Sequence, residues 1–133
     1  MQISSLKLDA FEPTLYLQTL AALAAVDGVS PDETAFIQRQ AAGLGVDLAD
    51  ALAAAPKPVA EMGAAASETT RRLIYRDCFM LAHADGVVSE EERVMLSSIQ
   101  RDLRIAPETA SAIEAWTDRL SVLLVEADSL FGS

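Results

Sequence analysis

The stretches AVDGVSPDE (25–33) and ADGVVSEEE (84–92) are near copies of one another. Each interrupts a helical pattern and starts a new one, so the chain must be built twice from the same kind of corner. Before the first, Tyr16, Leu20 and Leu23 recur at i, i+4 and i+7; before the second, Ile74, Cys78 and Leu81 do the same. That spacing places three apolar side chains on one helical face. Gly28 and Gly86 supply the left-handed residue that a corner needs. Ser30 with Glu33, and Ser89 with Glu92, then have the three-residue spacing of a capping box at a helix start. Phe36, Ile37 and Leu44 continue the first new helix, and Met95, Leu96, Ile99 and Leu103 the second.

The resulting expectation is an all-α single domain over residues 1–133, with about seven helices and no strand. Repeat one covers about 13–45 and repeat two about 68–104. Between them, the prolines and glycine of AAAPKPVAEMGAAAS (53–67) mark a connector with a short helix near Val59–Met62. Asp47 can cap a short helix through Ala55, and Pro107 opens a long one over about 107–128. Its packing side is read as Ile113, Trp116, Leu120, Leu123 and Leu124.

Asp27 and Asp85 extend the apolar stripes of their helices, while Glu33 and Glu92 begin the stripes that follow. One aspartate and one glutamate are therefore aimed at each helix junction, where partly buried carboxylates need partners. Two uses are open. The acids can serve the backbone alone, the aspartates in an Asx-type turn and the glutamates in their capping boxes. Alternatively, Asp85, Glu92, Asp27 and Glu33, with Ser89, hold a divalent cation such as calcium or magnesium. With Gly86 set at the glycine of a calcium-binding helix–loop–helix, Asp85, Ser89 and Glu92 take the fifth, ninth and twelfth loop positions. Leu81 and His83 occupy the first and third, so a full site of that kind is excluded and binding would be weak. In the first turn Glu33 falls one residue short of this register.

The doubled DG-x-x-S-x-x-E turn in an acidic, helical chain resembles the tellurite-resistance TerB-like family. The likeness spans about residues 13–105; ADGVVSEEE fits the pattern and VDGVSPDE is one residue short of it. It implies an internally duplicated all-helical fold and an acidic patch linked to divalent cations, with Asp27, Glu33, Asp85 and Glu92 carried over. It also implies a non-enzymatic part in stress-response assemblies, some of them at the inner face of the membrane. Tellurite itself is not implied as this chain's concern.

Charge and cysteine content narrow the alternatives. Twenty acids against ten bases give a formal charge of −10, which opposes binding to nucleic acid or to an anionic membrane surface. Basic partner segments and divalent cations are attracted instead. Cys78 and His83 are the only cysteine and histidine, so neither an internal disulfide nor a Cys/His zinc site can form. Cys78 is expected in the core and His83 partly exposed on a helix. There is no signal-peptide pattern at the start, no apolar run of membrane-spanning length, no glycine-rich phosphate loop and no nucleophile with an orienting base. The expectation is a cytoplasmic protein that is not an enzyme. Trp116, Leu120 and Leu124, with Leu123, Leu130 and Phe131, either complete the core or form a face for a protein partner or a second copy of the chain.

Overall fold

The apolar stripes organise the packing as their spacing requires. In the computed structural model, residues 12–26, 28–84, 86 and 88–132 are described, and these form seven helices with no strand among them. They are α1 (Pro13–Ala25), α2 (Pro31–Leu44), α3 (Leu48–Ala53), α4 (Val59–Ala65), α5 (Glu68–Ala82), α6 (Glu90–Asp102) and α7 (Pro107–Phe131). Tyr16, Leu20 and Leu23 of α1 are wholly buried, as are Ile74, Cys78 and Leu81 of α5. Each buried aliphatic side chain of this kind contributes roughly 1.5–3 kcal/mol. The helices α1 and α5 form the central pair: α1 packs on α2, α3, α5 and α6, and α5 packs on α1, α2, α6 and α7.

Local chemistry sets the helix boundaries. Proline stands at the first position of α1, α2 and α7, where its fixed φ suits the helix and its missing N–H costs nothing. α2 and α6 both open on complete capping boxes. They also close alike. The amides of Gly45 and Val46 donate to Ala42 and Ala41, and those of Arg104 and Ile105 to Arg101 and Gln100. That is the paired bonding of a Schellman end. In α6 the left-handed position holds Arg104, at φ 58°, where a non-glycine residue costs roughly 1–2 kcal/mol. The Arg71 guanidinium donates to the carbonyls of Leu103 and Arg104 at 3.0 and 3.2 Å, which helps to hold the corner.

The boundaries differ from the sequence expectation in three places, at α3, at the two turns and at α4. α3 stops at Ala53, two residues short of Ala55, where the chain turns extended. α1 and α5 end at Ala25 and Ala82, before the turn aspartates; His83 belongs to the turn. The third is Gly63, which is no breaker in the connector. It lies inside α4 and is buried, and a methyl group built on it would stand 1.9 Å from the Asp102 carbonyl oxygen. Glycine is there because the backbones of α4 and α6 touch.

The long final helix departs most from expectation. α5 has 15 residues and α7 has 25, so at 1.5 Å per residue they span roughly 22 and 37 Å. α7 packs on α5 through Ala110, Ile113 and Thr117, and no described residue after Thr117 is fully buried. Leu123 and Leu124, expected on the packing side, are 59% and 55% exposed. The helix has simply run past the surface that would cover them.

Candidate functional site

Each corner is built around a buried glutamate. Glu33 and Glu92 are both 2% exposed. The Ser30 amide donates to Glu33 Oε1 at 2.9 Å, and the Glu33 amide donates back to Ser30 Oγ at 3.1 Å. At the second corner the Ser89 amide donates to Glu92 Oε1 at 3.1 Å, and the Glu92 amide to Ser89 Oγ at 3.1 Å. Acidic side chains at a helix start also answer the positive end of the macrodipole. Glu33, Glu92 and Ser89 are thus tied to the backbone, as the first of the two uses requires. Asp27 and Asp85 lie outside the described residues. Among the described residues no three acidic, histidine or cysteine side chains are grouped to hold a metal ion.

His83 is half-buried. Its ring packs at a 42° tilt against Phe79, 4.1 Å between centroids, and its Nδ1–H donates to the Phe79 carbonyl at 2.9 Å. Cys78 is wholly buried, and burial, followed by the charge on Asp77, pushes its thiol up. A thiol so placed is a poor nucleophile.

The sequence reading missed one polar centre. Asp77 of α5 is 3% exposed. The Tyr16 hydroxyl of α1 donates to its Oδ2 at 2.7 Å, and the Arg76 guanidinium donates to Oδ1 at 2.9 and 3.1 Å. Gln40 of α2 stands 3.4 Å from the same hydroxyl. Burial pushes the Asp77 carboxyl above its ordinary value, while Arg76 and Tyr16 draw it back. Burial, then Asp77, likewise raises the Tyr16 hydroxyl. The signal was present: 74, 77, 78 and 81 are an i, i+3, i+4, i+7 stripe with an aspartate inside it. The arrangement ties three helices together across the core.

The other candidate is the end of α7. Trp116 and Leu120 are half-exposed and Leu124 is exposed. Beyond them Leu130 and Phe131 are 74% and 82% exposed. A groove of about 490 Å³ runs between α5 and α7, floored by Leu73, Ile113 and Trp116 and edged by Arg72 and Arg76. Trp116 therefore belongs both to the groove and to the stripe that continues along α7. Among the described residues no helix is long and apolar enough to cross a membrane.

No family model matches this chain, and no curated protein or solved structure is significantly similar to it.

Proposed function

We propose that this chain is a non-enzymatic, internally duplicated helical module, TerB-like in its turns, that docks onto protein partners through the apolar end of α7. The observation that carries the reading is the exposure of Leu123, Leu124, Leu130 and Phe131 on one helix end. Contiguous apolar surface of this kind marks an interaction site. The matching caps and matching ends of α2 and α6 support the duplication. The formal charge of −10 favours basic partner segments around the docking face and disfavours nucleic acid. Stress-response assemblies, including those at the inner face of a membrane, are the setting that the TerB-like turns suggest.

Replacing Leu123 and Leu124 together by Glu tests the docking face. Both side chains are exposed, so helix content and melting temperature should change little. In an extract of the native host, the wild-type chain should elute in a complex larger than its own 14.2 kDa, and the variant at the position of the free chain. Equal elution of the two would refute the docking face.

The doubled turn adds a second property in this reading, weak binding of calcium or magnesium. Paired buried glutamates at equivalent corners support it, with Asp27 and Asp85 as the further ligands. Calorimetry at low salt should give a binding heat with wild type that Asp85→Ala abolishes. No heat from wild type would remove the cation from the account and leave the docking face untouched.

A further inference from the structure

We infer that the occupant of the α7 face is a second copy of this chain, in an antiparallel pairing of the two α7 helices. The inference rests on the docking reading above and names its partner. Trp116, Leu120, Leu123, Ala127 and Leu130 are spaced 4, 3, 4 and 3 residues apart, the repeat that lets two helices pack seam to seam. Leu124 and Phe131 flank this seam, whereas Val122 and Val125 point elsewhere. The seam lies on the side of α7 that carries Trp116, so it continues straight out of the groove between α5 and α7.

That continuity makes the face self-complementary. A twofold interface needs one surface holding both a projection and its receptor. Here the projection is Leu130 with Phe131, and the receptor is the groove over Leu73 and Ile113. Setting Leu120 against Leu123 of the second copy puts Trp116 opposite its Ala127 and Ile113 opposite its Leu130. Each helix end then lies in the other chain's groove, and the core of the contact is a four-helix layer of two α5 and two α7 helices.

Charge fits the same register. Arg119 and Glu126 flank the seam on one side, seven residues apart. In this antiparallel setting each Arg119 falls beside Glu126 of the other copy, twice by symmetry. The acidic end of α7, with Glu126 and Asp128, also comes toward Arg72 and Arg76 at the groove edge. A parallel pairing would instead set Arg119 beside Leu124 and Glu126 beside Phe131 of the other copy, pairing no charges, and would leave both grooves empty.

The face is extensive. Leu123, Leu124, Leu130 and Phe131 are 55–82% exposed, and a pairing that covers them together with the groove walls counts toward the roughly 800 Å² per partner of a stable interface.

Sedimentation equilibrium of the purified full chain should give twice the mass of one chain at micromolar concentration. Arg119→Glu and Glu126→Arg should each weaken the dimer at least fivefold, and the two together should restore it to within about threefold of wild type. Circular dichroism of each variant should match wild type, because both side chains lie outside the core. A double variant no better than the singles overturns the antiparallel register. A monomer at 100 μM overturns the second copy as occupant; if the chain still runs as a larger complex in native extract, the docking reading survives with a different partner. Monomer in both settings removes both.

Discussion

Tyr16→Phe deletes one hydroxyl and leaves the Asp77 carboxylate buried with one donor fewer. The expected loss is about 1–3 kcal/mol, the range for leaving a buried polar group short of a partner, read from urea unfolding. Asp77 also sets a pH dependence whose sign follows from its raised carboxyl. The folded state binds that proton more tightly than the unfolded state. The associated stability is therefore complete below the ordinary carboxylate range, near pH 3.9, and is lost as pH rises through the raised value. Wild type should thus lose stability relative to Asp77→Asn as pH rises from about 4; a gap that moves the other way would show the carboxyl to be lowered instead. Asp77 was readable at this scale, since it interrupts an apolar stripe. Its partners were not, because Tyr16 lies 61 residues away and only the crossing of α1 and α5 brings the hydroxyl to it.

At the scale of elements, the corners were the most legible part of the sequence. Capping boxes, proline starts and glycine turns act over a few residues, so Ser30, Glu33, Ser89 and Glu92 announce α2 and α6 without reference to the rest of the fold. Ser30→Ala and Ser89→Ala should each cost about 0.5–2 kcal/mol, measured by thermal unfolding. Gly63 carries the opposite lesson. Its role depends on the backbone of α6, 39 residues further on, and in sequence it reads only as a connector glycine. Gly63→Ala puts a methyl group into the Asp102 carbonyl and must push α4 away. A loss of about 1–3 kcal/mol, as for other overpacked sites, is expected; no loss would mean that α4 is loosely held. The end of α7 was misread for a related reason. A helical period shows which residues share a face, and it is silent about where the neighbouring helix stops.

For the whole molecule, the fold leaves two surfaces with unequal claims. The corners place their glutamates in caps, a structural duty that is complete without a ligand, and any cation there would depend on Asp27 and Asp85. The end of α7 has no comparable internal duty, since its apolar side chains contribute nothing to the core that folds the protein. That asymmetry makes association through α7 the central claim. Its most direct test is a photo-crosslinking residue, benzoylphenylalanine, in place of Phe131 in the full chain within its native host. The account predicts a protein adduct on irradiation, mapped by mass spectrometry to Leu73 or Ile113 of a second copy if the pairing above is right. Irradiation that leaves the chain free of any protein adduct would contradict the claim.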